Sequence, residues 1–521
     1  MFLTPPAINQ LRATLGTDLL AFLPEILVCG TIVLMLLLRL LPACDRYHLG
    51  GLAQTLTVLA LFVSWLQWNG AAFWDPRGGE PSRELFTGLL VYDNFTIFLR
   101  IFLLTFAALV IWLSLVTGLP DALDSADFYT QLLGATVGMM LMASANHLIM
   151  FFIAVEMASL PSYGLAGFLK GKRRSSEAAL KYVVYGGGAA GVMLYGISLI
   201  AGKFGTGYLP DLAQVLPRAA SEPGIDLVLL LGLLFIMIGL AFKISAVPFH
   251  FWCPDVFEGA AAEVAGFLSV ASKGAALALL ARFGLTLLPG LPAEVHALTP
   301  SVIPALAFLA ALTATFGNLA AYPQTNLKRL LAYSTIAHAG YMLMGLATLT
   351  AAGVSAVLFY LVVYLFMNLG AFAVVAFLRN LTGSEELGSF RGLVYRSPLV
   401  VVLLAVFLLS LVGLPPLAGF AAKFQIFRVL FDAAQSYNAQ PETEGLGTVL
   451  YALLMIGGLN TVFSLVYYLR VLKVMVLDKP LEEMEGKPVE PMPLPYTAGF
   501  FGSLLALMIL VLGVFFSPLA T

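Results

Sequence analysis

Charged residues are scarce in this sequence. Lysine, arginine, aspartate and glutamate make up 11% of its 521 residues, whereas 60% are hydrophobic. A soluble globular domain has about a quarter charged and about half apolar residues. Because no water-soluble fold can bury so much apolar surface, most of the chain must lie in a lipid bilayer. The net charge of -2 leaves no basic surplus for phosphate groups, so we expect no nucleic acid partner.

Cysteine is also scarce. Cys29, Cys44 and Cys253 are far apart, in no CxxC arrangement and without the spacing of metal ligands. We therefore expect no disulfide framework, no zinc site and no iron–sulfur cluster. No glycine-rich phosphate loop follows a strand, because no segment is convincing as a strand. This chain is predicted to hold no cofactor, so any redox chemistry linked to it takes place in another chain.

Long apolar runs dominate the sequence. A transmembrane helix needs about 20 apolar residues, and on that criterion we predict an all-α integral membrane protein with about 14 transmembrane helices. The N-terminus lacks a charged region and a small-residue cleavage site, so we expect an uncleaved first span. The predicted spans are 19–41, 49–67, 95–117, 128–146, 147–168, 177–202, 226–250, 258–282, 298–322, 327–350, 352–378, 398–430, 446–475 and 494–518.

The orientation follows from the loops. Lysine and arginine concentrate in the loops after odd-numbered spans, most clearly at Lys170, Lys172, Arg173 and Arg174. The positive-inside rule then places those loops in the cytoplasm and both termini on the outer side. We take the inner (cytoplasmic) membrane of a bacterium as the location.

Two of the predicted spans are interrupted. Span seven contains Pro248, and span twelve contains Gly413, Pro415 and Pro416. Proline removes a backbone donor, and the freed carbonyls must face protein or a water-filled cavity. Paired broken helices five spans apart are typical of inverted-repeat transporters. The predicted organisation is N-terminal helices in 1–127, two inverted five-helix repeats in 128–282 and 298–475 with discontinuous helices seven and twelve, and a last helix at 494–518.

Several ionisable residues lie inside predicted spans, where each costs about 2.5–3.5 kcal/mol to insert. A structural ion pair or a side chain that extends to the interface would also explain such residues. That alternative is strongest for Lys181, which lies near a helix end and has Glu177 four residues before it. We favour a proton-transfer role for the set, which is Glu156, Lys181, Lys243, Lys273 and Lys423.

Other buried polar residues leave more than one interpretation open. His250 and His338 have polar or aromatic neighbours, and imidazole titrates near neutral pH, so each is either a proton relay or a hydrogen-bonded packing residue. For Glu25, in the first span, we expect a structural role. Glu263, near the start of span eight, is predicted to face the membrane interface.

A buried lysine suits a proton path because its charge can be tuned. The reference lysine pKa is about 10.4, and burial disfavours the charged form. A decrease to about 7 corresponds to roughly 4 kcal/mol, which burial can supply. A carboxylate that approaches the lysine favours protonation again, and one that withdraws favours release of the proton.

The segments around these residues resemble the signature segments of the antiporter-like membrane subunits of respiratory complex I. Together they extend over about 145–430. The Leu-Pro-Ser-Tyr that follows Glu156, with the later Ser-x-Glu-Ala-x-x-Lys-Tyr, favours the N-type branch over the M and L types. The segments are VEMASLPSYGLAGFLKGKRRSSEAALKYVVYG, GLAFKISAVPFHFWCPDVFEGA, FLSVASKGA, QTNLKRLLAYSTIAHAGYMLMG and LVGLPPLAGFAAKF.

The resemblance implies residue roles. It places the family's membrane glutamate on Glu156, its broken-helix lysine on Lys243, its central lysine on Lys273, its exit-side lysine on Lys423 and its bridging lysine on Lys181. On this interpretation Glu156 and Lys243 form a tunable pair. Lys273 is the central relay, and Lys423 passes the proton to the outer side.

The resemblance also implies an activity and partners. The chain would be a proton-translocating membrane-arm subunit of NADH:quinone oxidoreductase, driven by quinone reduction elsewhere in the complex. K-type and M-type membrane subunits would be its neighbours, and FMN, iron–sulfur clusters and quinone would belong to partner subunits. One departure concerns 258–263, where family members carry a proline-rich turn, so the geometry of that loop is not predicted.

Three alternatives use the same residues. A multi-subunit cation/proton antiporter, or a membrane-bound hydrogenase, would share the fold and much of the charge pattern. A scaffold that only couples its neighbours would be free to lose the costly buried charges. A solute transporter would need a substrate pocket distinct from these charges, and no motif indicates one.

Overall fold

The computed structural model describes residues 14–41, 47–70, 77, 80–220, 226–287, 298–441, 443–480, 483 and 488–515. Cys44 and the N-terminal segment before Thr14 lie outside the described residues.

Each predicted span has a helical counterpart. The helices are α1 Thr14–Ala21, α2 Leu23–Arg39, α3 Gly50–Trp68, α4 Asn94–Thr117, α5 Ser125–Ser144, α6 Leu148–Ala166, α7 Arg173–Phe204, α8 Leu209–Ala220, α9 Leu227–Ile244, α10 Trp252–Gly259, α11 Ala262–Phe267, α12 Lys273–Leu287, α13 Thr299–Ala321, α14 Leu327–Leu346, α15 Ala351–Thr382, α16 Pro398–Val412, α17 Ala418–Asn438, α18 Glu444–Val476 and α19 Tyr496–Val514.

The membrane class is confirmed. Within the described chain, 10 helices are long and apolar enough to cross a bilayer, and the bent pair α1–α2 brings the number to 11. Large apolar side chains such as Val33, Val184 and Val462 are exposed on these helices, as a lipid-facing surface requires. α5, α14, α16 and α17 cover predicted spans but fall outside that set, so the count of about 14 stays a prediction.

A short antiparallel hairpin corrects the expectation of no strands. β1 Ser82–Leu85 pairs with β2 Leu90–Asp93 in the loop before α4. The strands have only four residues each and lie between apolar runs, which is why the pattern of the spans conceals them. Asp93 ends β2 and caps α4, because its Oδ1 accepts a hydrogen bond from Thr96 N at 2.8 Å.

Asp93 also receives Arg282 of α12, whose Nη1 and Nη2 donate to its two oxygens at 2.9 and 3.1 Å. Burial alone would raise the pKa of Asp93, but the Arg282 guanidinium and the hydrogen bonds from Thr96 hold that pKa below its ordinary value. The ionised form therefore stabilises the fold. This contribution is complete above the unfolded pKa of about 4 and is lost as the pH falls through the lower folded value.

Asp93→Asn should destabilise the subunit by about 2 kcal/mol at neutral pH, because an amide can cap α4 but cannot replace the charged hydrogen bonds to Arg282. The difference from wild type should shrink at acidic pH. Thermal unfolding of the detergent-purified protein at two pH values measures both effects. Asp432→Asn, in an exposed pair with Arg428, is the control and should change little. An equal loss at both pH values would contradict the assigned charge effect.

The described residues form two compact units. Unit 1 combines the N-terminal helices with parts of α7, α9 and α12. Unit 2 combines the segments around the helix breaks with the C-terminal helices. Unit 1 is drawn from Met1–Phe168, Val183–Leu240 and Gly274–Leu287, and unit 2 from Leu169–Tyr182, Ala241–Lys273 and Leu288–Thr521.

Close helix packing in each unit depends on glycine. In unit 1, a Cβ on Gly138 of α5 would clash with the backbone nitrogen of Ala158 in α6. In unit 2, a Cβ on Gly340 of α14 would lie 2.5 Å from the backbone nitrogen of Ala314 in α13. Small residues let membrane helices approach until their backbones touch. This close packing stabilises helix association in a bilayer, where the hydrophobic effect does not drive helices together.

Span seven is broken as predicted, but earlier than its proline indicates. α9 ends at Ile244, Ser245 has a φ of 62°, and residues 245–251 are not α-helical, although the predicted span continued to 250. The Phe242 carbonyl accepts from Trp252 Nε1 at 2.9 Å. Thr313 Oγ1 accepts from Val247 N at 3.1 Å. Protein groups thus satisfy the backbone at the break, as membrane burial demands.

Span eight runs as one helix over Ala262–Leu287 but contains a π-helical segment, which the sequence pattern did not indicate. A π-helical segment, Leu268–Ser272, separates α11 from α12 and ends directly before Lys273. The prediction for Glu263 was wrong. Glu263 is fully buried, and its Oε1 lies 3.2 Å from Arg379 Nη2, because α11 packs against α15 within unit 2.

Candidate functional site

Lys423 lies at the break between α16 and α17. α16 ends at Val412, the following Gly413 turns the chain with a φ of 92°, and α17 begins at Ala418. Lys423 is 4% exposed, and its Nζ donates to the Val412 carbonyl at 2.9 Å. That carbonyl belongs to the last turn of α16, where no helical N–H reaches it. The predicted break in span twelve therefore gives the lysine its hydrogen-bond acceptor.

An aromatic ring completes the Lys423 site. The Nζ lies 4.5 Å from the centroid of Tyr341 on α14. Among the described residues no carboxylate forms an ion pair with Lys423, so a carbonyl dipole and a ring face surround this charge. Such a site holds the ammonium without fixing it as firmly as a carboxylate would.

His338 is the centre of a hydroxyl cluster in unit 2. Its Nδ1 lies 2.7 Å from the Tyr360 hydroxyl, and its Nε2 lies 3.4 Å from the Tyr468 hydroxyl. Tyr468 is hydrogen-bonded in turn to Ser334. His338 is 2% exposed and interacts electrostatically with both Lys273 and Lys423. The tyrosines and the serine were not identified from the sequence, because hydroxyl residues in apolar runs give no distinctive signal.

Lys273 opens α12 directly after the π-helical segment and is fully buried. Its Nζ donates to Cys253 Sγ at 3.6 Å, and it lies 5.6 Å from the Phe257 ring centroid. Both neighbours are on α10, whose position depends on the break after α9. From the sequence, Cys253 was noted only for its lack of a metal-binding pattern.

Lys243 and His250 flank the break in span seven. Lys243 is fully buried in the last turn of α9. His250 is 3% exposed, has its ring centroid 4.6 Å from that of Phe316 on α13, and interacts electrostatically with Lys273. Both side chains are buried next to the irregular backbone of 245–251.

Lys181 belongs to a different environment. Its predicted ion pair with Glu177 is present at 2.8 Å, but its Nζ also lies 2.7 Å from Asp255 Oδ2. Arg329 Nη1 donates to the other oxygen of Asp255 at 2.6 Å and to Glu258 at 2.9 Å. The Lys181 side chain is 37% exposed. This network surrounds one end of α10. It was missed because its charges lie at the ends of predicted spans, where a charged side chain can reach the membrane interface and is not unusual.

Glu156 is the one predicted site residue that lies in unit 1. It is half-buried near the middle of α6, and its carboxylate interacts electrostatically with Tyr163. Ile153 and Leu160, three residues before and four after it, are 39% and 63% exposed. Glu156 therefore borders an exposed apolar face of α6.

A family model described as "NADH:quinone oxidoreductase/Mrp antiporter, TM" matches residues 145–439, which include all seven predicted site residues. The chain belongs to this family. One relative, NADH-quinone oxidoreductase subunit N 2 of Sorangium cellulosum, is 40% identical over 95% of either chain. NAD(P)H-quinone oxidoreductase subunit 2 of a Synechococcus species is 38% identical over 89% of this chain and 81% of its own. The resemblance to N-type subunits is thereby confirmed.

Solved structures of family members have the same fold. A chain of respiratory complex I from Thermus thermophilus matches 95% of this chain and 98% of its own length, with a TM-score of 0.73 and 30% identity. A chain of the Mrp complex from Dietzia sp. covers 96% of both chains with a TM-score of 0.78, but at 19% identity it shows the fold alone. Within the described part of the chain, no three His, Cys, Asp or Glu side chains cluster as metal ligands.

Proposed function

We propose that this chain is a proton-translocating membrane-arm subunit of NADH:quinone oxidoreductase. The observation that carries the proposal is the series Lys273, His338 and Lys423 in unit 2. Each side chain is at most 4% exposed, and the histidine interacts electrostatically with both lysines. Lys273 follows the π-helical segment and Lys423 follows the break before α17, so both lie beside irregular backbone. Titratable groups so placed can exchange protons inside an apolar medium.

The remaining predicted residues take the roles that the resemblance implies. Glu156 and Lys243 form the tunable pair, Lys181 bridges, and His250 is a further relay beside the break in span seven. The chain divides into N-terminal helices in 1–127, inverted repeats in 128–282 and 298–475, and a last helix at 494–518. This division puts one discontinuous helix in each repeat.

The exposed apolar face beside Glu156 supports a neighbouring subunit on α6. An ionisable group that faced lipid there would be costly, whereas a K-type or M-type subunit could cover it with polar groups. The complex would lie in the inner membrane with both termini of this chain outside. FMN, iron–sulfur clusters and quinone would be held by partner subunits, and quinone reduction there would drive proton transfer here.

Glu156→Gln and Lys243→Ala test the proposal in inverted membrane vesicles that carry the assembled complex. We expect NADH oxidation and proton pumping to fall together by at least about tenfold, because a proton-transfer group typically contributes about 100-fold or more. Oxidation is followed by NADH absorbance, and pumping is followed by a pH-sensitive dye. Subunit content in the membranes shows that the complex has assembled.

Lys203→Ala is the matched control, since Lys203 pairs with Asp226 at a partly exposed position in unit 1. It should leave both activities unchanged. If Glu156→Gln and Lys243→Ala keep normal oxidation and normal pumping per electron, the buried charges are structural and the subunit is a scaffold. Pumping without any dependence on NADH oxidation would instead support the antiporter alternative.

A further inference from the structure

The Cys253 thiol is the hydrogen-bond acceptor of the Lys273 ammonium, with 3.6 Å between Sγ and Nζ. Both side chains are fully buried. Among the described residues no carboxylate forms an ion pair with Lys273. The Lys273 ammonium is therefore held by a neutral group that is ordinarily regarded as a small apolar side chain.

A thiol differs from a carboxylate in what it can do for a lysine. The S–H group is a weak donor and the sulfur a weak acceptor. The sulfur can accept from the ammonium, and the S–H can donate to the neutral amine. The Ala332 carbonyl lies 4.0 Å from the same sulfur and can accept the S–H while the lysine is charged. The thiol thus has a partner in both charge states of Lys273.

We propose that Cys253 is a positioning residue that holds the Lys273 amine in place in both charge states without fixing its charge. The inference rests on the proposed function, in which Lys273 takes up and releases protons. A carboxylate at this position would favour the ammonium strongly, and an apolar side chain would leave it without an acceptor.

Other titratable groups face Cys253 and Lys273, and substitutions at 253 leave all of them in place. His250 and His338 interact electrostatically with Lys273, and Tyr364 of α15 interacts with Cys253. Glu263, on the same span as Lys273, is held by Arg379. Asp255, on the same helix as Cys253, is held by Lys181 and Arg329. Differences in pH dependence between substitutions at 253 therefore report on the thiol.

The test compares Cys253→Ala, Cys253→Ser and wild type in NADH-driven pumping by vesicles across a pH series. Alanine removes the acceptor of the ammonium, so we expect pumping at alkaline pH to fall about three- to tenfold. The alkaline limb of the profile should move down by about half to one pH unit, which corresponds to the same factor. Serine retains a donor and acceptor and should restore most of the profile. Cys29→Ala, at an exposed position on α2, is the matched control.

An unchanged profile for Cys253→Ala would overturn the inference. Equal loss in the alanine and serine variants would also overturn it, since packing and not hydrogen bonding would then explain the effect. Lys273→Met separates the two levels. If this variant pumps normally, the proposed function fails and the inference with it. If it abolishes pumping while Cys253→Ala behaves as wild type, only the role of the thiol is wrong.

Discussion

Lys423→Met should reduce NADH-driven proton pumping by about 100-fold or more, the range expected when a proton-transfer group is removed. Methionine keeps the length and apolar stem of lysine but has no exchangeable proton. The wild-type ammonium binds the Val412 carbonyl and faces the Tyr341 ring, and neither the carbonyl nor the ring face carries an exchangeable proton. The path should therefore be interrupted at the break between α16 and α17.

The same substitution should leave the subunit folded. A buried charge that lacks an ionised partner is costly, and its removal eliminates that cost. Among the described residues Lys423 has no carboxylate partner, so no uncompensated anion remains after substitution. Methionine also leaves the Val412 carbonyl without its donor, which opposes that gain, so we expect the apparent melting temperature of the complex in detergent to change little. A loss of pumping without a loss of stability distinguishes a transport residue from a structural one.

Arg428→Ala is the control for the Lys423 substitution. It lies on the same helix, and its i,i+4 pair with Asp432 is exposed. It should change neither pumping nor stability beyond a few tenths of a kcal/mol. Pumping by Lys423→Met at near wild-type rates would remove Lys423 from the proton path, and the discontinuity in span twelve would then need another explanation.

The sequence identifies those parts of the site whose residues are individually costly to place in a membrane helix. Gly413, Pro415 and Pro416 interrupt an apolar run, and Lys273 and Lys423 are charges inside such runs, so insertion energetics alone marks them. The membrane class and the break in span twelve follow from the same reasoning. Pro248 marks a break as well, although the helix ends before it.

Features that depend on partners distant in sequence could not be predicted in this way. Cys253 and Tyr360 are ordinary residues of apolar segments until the fold brings them to Lys273 and His338. The π-helical segment Leu268–Ser272 has no proline or glycine to mark it. Arg100 is different, because it lies inside the predicted span 95–117 and its insertion cost was a usable signal.

Arg100 and Glu25 form an ion pair in the interior of unit 1. Arg100 Nε lies 2.6 Å from Glu25 Oε1, and both side chains are fully buried. Arg100 also donates to the Ala21 carbonyl at 2.8 Å and lies over the Tyr92 ring at 5.4 Å. The pair joins α2 to α4, which agrees with the structural role expected for Glu25. The stability of this contact therefore depends on two complementary buried charges.

Arg100→Met or Glu25→Leu should destabilise the subunit by about 3–5 kcal/mol, because either change leaves the other charge buried without its partner. The double variant Glu25→Leu/Arg100→Met should be much closer to wild type, since removal of both charges also removes both desolvation costs. Apparent melting temperature and the amount of subunit retained in membranes measure the loss. Arg39→Ala, which breaks a partly exposed pair with Asp127, should cost less than about 1 kcal/mol. Additive losses in the double variant would show that the two side chains act separately. Strong recovery would show that α2 and α4 tolerate an apolar contact and that the charges stabilise the fold only as a pair.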